Sequence, residues 1–421
     1  MKLCLFQSIF FIFLLKILPY NLEKGIFMFW CSSVSNSPSL DLAIEDVSRE
    51  ILKKLNNKKA DLALIFISSH HSSYYEKIIE KIKVNIDCEI ILGCSGSGVI
   101  GEGKEFEYLP GVSLTVASLP NVELKPFHFS QDELPSPDEG PDAWKDIIEV
   151  INDNPKTIVL FSDPFSIRTE YILDGLDFAF PDTKIIGALA SGGNKPGENA
   201  LFVNDETYFR GCSGLVITGD FELDILVAKS CRPIGEPMIV TQSNNNIINE
   251  LDGDLPIVAI KKLYDDLPED EKDVMNNALQ IGILMDRLGD IDDEITYMIR
   301  NISSIDKETG SISIGESITD GQVIQFHLRD SEAAQEELKK MLSEYEIDDG
   351  QIIKSTLMFS SVGRGKYLLG ESHHDINLYK NIIGNESPIT GFFSNGEISP
   401  IGDRTYLHGY TSSFAIFKES S

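Results

Sequence analysis

Two arginines stand where the chain could grip a small carboxylate. Arg364 lies between Gly363 and Gly365 just after an apolar run, so its planar fork of donors is placed to meet an anion while the glycines let the backbone come close. Arg232, in the string Ser230-Cys231-Arg232-Pro233-Ile234-Gly235, carries the same donors on a loop stiffened by proline. Asn395 and Glu397 flank Gly396 and offer an amide and a carboxylate to an ammonium group. With Arg364 they supply the complementary charges that an amino acid requires. His374 and Asp375 open a helix, where they pair or cap free N–H groups. His408, beside Gly409, donates to a ligand or satisfies a buried carbonyl, and Ser95 and Ser191 add hydroxyls in two glycine-rich loops. Each also has a plainer role: a surface ion pair for Arg364, an inter-domain salt bridge for Arg232, helix capping for His374 and Asp375, and a turn Asn395 beside a solvent-facing Glu397.

The elements that must position these residues recur. Residues 61–68 read as a buried strand, followed by a Ser/His loop, a helix over 74–84, a strand over 89–92 that runs into Gly93-Cys94-Ser95-Gly96-Ser97-Gly98, and a returning strand over 111–117. The same order returns with a strand over 157–161, a helix over 168–178, the turn Gly187-Ala188-Leu189-Ala190-Ser191-Gly192 and a strand over 214–218. It returns again with 355–359, a helix after His374, Gly391-Phe392-Phe393-Ser394-Asn395-Gly396 and 411–417. Each copy places a glycine at a strand end and another five residues later. The grammar is α/β, with repeated β-loop-α-β-glycine-loop-β units in mixed or antiparallel sheets. The three glycine turns are expected to gather at one end of the sheets and to leave a hollow for a ligand.

Catalysis lacks a motif. The loop at Cys94 and Ser95 does not fit G-x-S-x-G, and no Walker loop or dinucleotide fingerprint occurs. Cys4, Cys31, Cys88, Cys94, Cys212 and Cys231 are scattered without metal-ligand spacing, and the pairs His70-His71 and His373-His374 are poorly placed to share an ion. Neither cofactor nor metal is expected. A hydrolase or transferase working from the Ser/Cys/Gly loops stays open as the alternative, as does a non-catalytic docking scaffold.

At 421 residues, with 36 basic against 66 acidic side chains and a formal charge of −30, the chain repels phosphate backbones and anionic lipid. Nucleic acid is excluded as an expected partner. An acid- and proline-rich loop over 131–141 and a polar interruption near 244–253 suggest two domains, 28–250 and 251–421. Residues 1–27 form an apolar extension, either a signal-anchor-like segment over 3–18 or an upstream start before Met28. The expected location is cytoplasmic, with a membrane-anchored form as the alternative.

Several strings go beyond this grammar: 230–235, Gly363-Arg364-Gly365, Gly370-Glu371 with His374-Asp375, Gly391 through Ile398, and Leu407-His408-Gly409-Tyr410-Thr411. Taken in order they resemble the FIST family, over about residues 28–417. The opening Trp30-Cys31-Ser32-Ser33 and Pro110-Gly111-Val112-Ser113-Leu114 are similar to FIST proteins of photosynthetic bacteria. The resemblance implies paired FIST N and FIST C modules, a sensory role, and binding of a small ligand such as an amino acid. Since no kinase, cyclase, receiver or F-box segment is present, it also implies an unidentified downstream signalling protein.

Overall fold

In the computed structural model, which describes residues 27–150, 155–285, 297–348, 350–384 and 386–419, one unit is built three times. The first runs β1 (Phe29–Ser35), α1 (Leu40–Leu55), β2 (Ala60–Ser68), a 3-10 helix (Ser69–Lys77) leading into α2 (Ile78–Asn85), β3 (Cys88–Gly96), the hairpin β4–β5 (Gly98–Gly101, Lys104–Glu107) and β6 (Val112–Ser118). The second runs β7 (Val122–Phe129), α3 (Pro141–Ile147), β8 (Thr157–Ser162), α4 (Thr169–Ala179), β9 (Lys184–Leu189), β10–β11 (Leu201–Val203, Glu206–Tyr208) and β12 (Cys212–Gly219). The third opens with β13 (Glu222–Lys229) and is then interrupted. A six-stranded closed barrel intervenes: β14 (Cys231–Asn244), β15 (Ile247–Leu251), α5 (Pro256–Asp266), α6 (Glu269–Ala278), β16 (Leu279–Leu284), β17 (Tyr297–Ile305), β18 (Ile312–Ile314) and β19 (Val323–Arg329). The unit resumes with α7 (Ser331–Glu344), β20 (Ile352–Ser361), α8 (Gly365–Leu369), α9 (His374–Ile382), β21 (Ile389–Ser394), β22–β23 (Glu397–Ile401, Arg404–His408) and β24 (Thr411–Glu419). Residue 250, the expected division, falls on β15 of the barrel.

The repetition extends to single side chains. In each unit one parallel strand pair sets a glycine beside the residue that precedes a phenylalanine: Gly93 beside Ile65, Gly187 beside Leu160, Gly391 beside Met358. A Cβ on these glycines would stand 1.8, 1.8 and 1.7 Å from the facing carbonyl oxygen. No larger residue fits. The phenylalanines that follow, Phe66, Phe161 and Phe359, each face a buried serine on the antiparallel side, Ser113, Ser213 and Ser413. Phe66, Phe161 and Phe359 meet edge to face at 5.5–6.4 Å between centroids, and Phe392 stacks on Phe66 at 5.0 Å. They form the centre of a core to which all three sheets contribute.

Each sheet is completed by its neighbour's hairpin. The strand orders are β1-β6-β2-β3-β10-β11, β7-β12-β8-β9-β22-β23 and β13-β24-β20-β21-β4-β5, so unit one lends its hairpin to sheet three, three to two, and two to one. The exchange closes a ring. The central strands are buried on both faces, as β2 shows: Leu62, Leu64 and Phe66 turn to the shared core, while Ala63, Ile65 and Ile67 pack under α1 and α2.

Carboxylates fix one of these exchanges. Glu105 of β5 accepts from Ile376 N at 3.1 Å, and both oxygens of Glu107 accept from Lys366 N at 2.9 Å, so the first unit's hairpin supplies acceptors to the opening turns of α9 and α8. Burial, reinforced by the nearby Asp375 charge, pushes the Glu105 carboxyl up to about 8. A carboxyl with a raised folded-state pKa stabilises the fold below its ordinary value near 4.5, and that contribution is lost as pH rises through about 8. The melting temperature is therefore expected to fall from about pH 4.5 to about pH 8 and to level off above it. Glu105→Gln, which keeps an acceptor for Ile376 N–H, should flatten that fall by a few kcal/mol in order of magnitude. A pH–stability curve unchanged by the substitution would contradict this.

The apolar run at residues 3–18 lies outside the described residues. Among the described residues no helix is long and apolar enough to cross a membrane.

Candidate functional site

The glycine turns do gather, but among the described residues hydrogen bonds tie them closely to one another. Ser191 N donates to Ser95 O at 3.1 Å, Ser95 Oγ to Ser191 O at 3.1 Å, Ser97 N to Ser191 Oγ at 2.8 Å, and Leu189 N to Gly396 O at 2.8 Å. Ser191 Oγ in turn donates to Phe393 O. The two serines expected at a ligand bind the turns to one another instead, over a floor of phenylalanine rings. A void of about 10 Å³ beside Ser97 and Phe393 has room for about one water molecule.

Arg364 is likewise turned inward. It is 0% exposed, and its guanidinium forks onto Asp375, with Nε on Oδ2 and Nη2 on Oδ1 at 3.2 Å, while Nη1 reaches Ser230 Oγ at 2.6 Å and Nη2 the Ala334 carbonyl at 3.1 Å. Solvent does not reach it. It is neither a surface ion pair nor open to a guest. Burial alone would raise the Asp375 carboxyl, but Arg364 and His374, whose Nδ1 lies 3.0 Å from Oδ1, hold it below the usual range. Glu397 is buried rather than solvent-facing. It accepts from Ser394 Oγ at 2.5 Å and Thr411 Oγ1 at 2.7 Å, and burial pushes it up to about 7. Asn395 is exposed at its turn, apart from these groups. His408 Nε2 lies 3.0 Å from Ser399 O, and burial lowers the imidazole to about 4. Arg232 pairs with Glu271 at 2.7 Å and with Asp330 at 2.8 Å, and Asp330 also caps α7.

These contacts converge on one place, the root of the barrel in the third unit. Cys231 and Arg329, the first and last barrel residues, lie opposite one another, so the barrel leaves the core on a two-stranded stalk held by Arg364 beneath and Arg232 beside it. Above the stalk a cleft of about 720 Å³ opens between α5, α6, β16, β17 and Tyr410. Tyr410 occupies the left-handed region at φ 59°, which a bulky residue adopts only under constraint. Three neighbours supply the constraint. Its hydroxyl donates to Asn301 Oδ1, the Arg329 guanidinium lies over its ring at 5.4 Å, and a Cβ on Gly363 would stand 2.7 Å from that ring.

The cleft wall holds an unmet acceptor. Gln280 is 8% exposed, and its Oε1 is buried with no partner among the described residues. Around it lie the amides of Asn276, Asn277 and Asn301, apolar Ile257, Ile260, Met275 and Ile302, and exposed Lys261 at the rim. The chemistry suits a ligand with a donor at one end and an apolar body. Sequence reasoning reached Tyr410 through its string but missed Gln280, a lone amide in the apolar strand Leu279–Leu284, which was the available signal.

Cys94, the nucleophile of the alternative reading, is fully buried, and burial raises its thiol well above the ordinary value. A reactive cysteine needs the opposite environment.

Known proteins resemble this chain along most of its length. An uncharacterized protein of Mycobacterium tuberculosis is 28% identical over 384 residues, covering 91% of this chain and 98% of the relative. One of Mycobacterium bovis is 27% identical over 384 residues, covering 91% and 97%. The FIST N domain model matches residues 61–254, from β2 through the first two barrel strands, and the FIST C domain model residues 259–400, from α5 into β22. The chain therefore belongs to the FIST family, whose domains are sensory, signal-transduction modules.

Proposed function

We propose that this protein senses an apolar amino acid or a closely similar metabolite in the cleft at Tyr410, and passes the bound state to a partner through the attitude of the barrel on its stalk. The observation that carries the proposal is the buried Oε1 of Gln280, in a cleft wall and without a partner among the described residues. Leaving such an acceptor unmet costs about 1–3 kcal/mol, a cost that a ligand ammonium removes. Lys261 at the rim takes the carboxylate, and Ile257, Ile260, Met275 and Ile302 take the side chain. A guest held by Gln280 of the barrel and Tyr410 of the threefold body spans the two, so binding selects one attitude of the barrel.

A thermal-shift screen of the 20 amino acids tests this. Apolar members should raise the melting temperature, since ligand at about 100 times Kd contributes about 2.7 kcal/mol. Gln280→Leu should abolish the response in a protein that still melts cooperatively, since it removes the unmet acceptor at the cost of the Gln280–Tyr410 side-chain hydrogen bond. No shift with any amino acid, or an undiminished shift in Gln280→Leu, would refute the proposal. The first of these results beside a tight complex in a pull-down would favour a docking scaffold.

A further inference from the structure

A second cavity, of about 440 Å³, lies along β1 at the edge of the first sheet, between that strand, the β4–β5 turn at Gly103, and residues 386–389 at the start of β21. Its lining concentrates hydrogen-bond donors. Trp30 is 6% and Ser32 2% exposed, and neither Trp30 Nε1 nor Ser32 Oγ has a partner among the described residues. Lys380 completes the set. A Cβ on Gly103, which sits at φ 79°, would stand 1.7 Å from Lys380 Nζ, so glycine is what lets the ammonium lie across this turn. Burial lowers the Lys380 pKa, and no carboxylate offsets it. Lys54, by contrast, is engaged, donating to Ser32 O at 2.8 Å and pairing with Glu102 at the rim.

Three lining residues whose side-chain donors have no acceptor among the described residues are unusual in a chain of net charge −30. We propose that this cavity binds a compact oxyanion, the carboxylate or phosphate group of a small metabolite, on Trp30 Nε1, Ser32 Oγ and Lys380 Nζ. One bound anion accepts from all three, and bonds to an ionised acceptor are about twice as strong as neutral ones. Glu102 and Glu386 at the cavity disfavour a large multiply charged guest. The cavity joins unit one to unit three and shares no residue with the cleft at Tyr410.

Trp30 is its own reporter, because the chain has two tryptophans and the second is Trp144. The full chain carrying Trp144→Phe is titrated with inorganic phosphate and, separately, with succinate at constant ionic strength, and the Trp30 emission is followed. A saturable change with at least one anion is expected. Phosphate alone would identify a phosphate ester, succinate alone a carboxylate, and both a general oxyanion site. Lys380→Met should weaken the response about tenfold, the equivalent of one charge-assisted bond, whereas Lys380→Arg should stay within about threefold. Gln280→Leu should leave the titration unchanged. No saturable change with either anion in the folded parent, or a Lys380→Met protein that melts cooperatively and titrates like the parent, would overturn the proposal.

Discussion

Residues 28–254 produced without the rest of the chain are expected to show no cooperative thermal transition and to expose apolar surface to a hydrophobic dye. That fragment contains the FIST N match, yet it lacks β22–β23, which complete the second sheet, and β20, β21 and β24, which carry the third. Its Phe66 and Phe161 would lose Phe359 and Phe392. Removing a single such ring from a packed core costs about 3–5 kcal/mol, and the fragment removes two together with an entire wall. Mixing it with residues 255–421 should restore a single transition. Independent folding of residues 28–254 would mean that the hairpin exchange does not hold the units together.

Arg364→Leu is expected to cost about 3–5 kcal/mol in urea denaturation, because it strands the buried Asp375 carboxylate and leaves Ser230 Oγ and the Ala334 carbonyl without their donor. Arg364→Lys should recover little, since an ammonium cannot reproduce the fork that spans Asp375, Ser230 and Ala334. Pairing Arg364→Leu with Asp375→Leu should restore part of the loss by removing the stranded charge. A near-zero change for Arg364→Leu, with loss of a ligand response instead, would return this residue to the ligand-gripping role that its neighbouring glycines suggest.

The units were legible in the sequence because their glycines answer a steric demand. At Gly93, Gly187 and Gly391 a facing carbonyl fills the space of a Cβ, so the residue type recurs wherever the strand pair recurs. Hairpin exchange leaves no such mark. The segment Gly98–Glu107 reads as a hairpin whichever sheet edge receives it, and only the partner at Thr390–Phe392 decides. The barrel was hidden for a related reason: its ends, Cys231 and Arg329, are paired in space but 98 residues apart. Arg364 shows the limit for sites. Its setting depends on Ser230, Ala334 and Asp375 at separations of 134, 30 and 11 residues, so a guanidinium between glycines looks open in sequence and is closed in the fold. Gln280, Asn301 and Tyr410 come from three separate strands or turns, and no local pattern joins them.

Methyl-labelled methionine provides the most direct measurement, because Met275 lines the cleft while Met358 lies behind Gly391 at the glycine turns. The amino acid that most stabilises the full chain is added to protein labelled at its eight methionines, with the two signals assigned through Met275→Leu and Met358→Leu. The Met275 methyl resonance should move in a saturable way and the Met358 resonance should stay. Movement at Met358 with Met275 unchanged would place the ligand at the turns and contradict a seat between barrel and core.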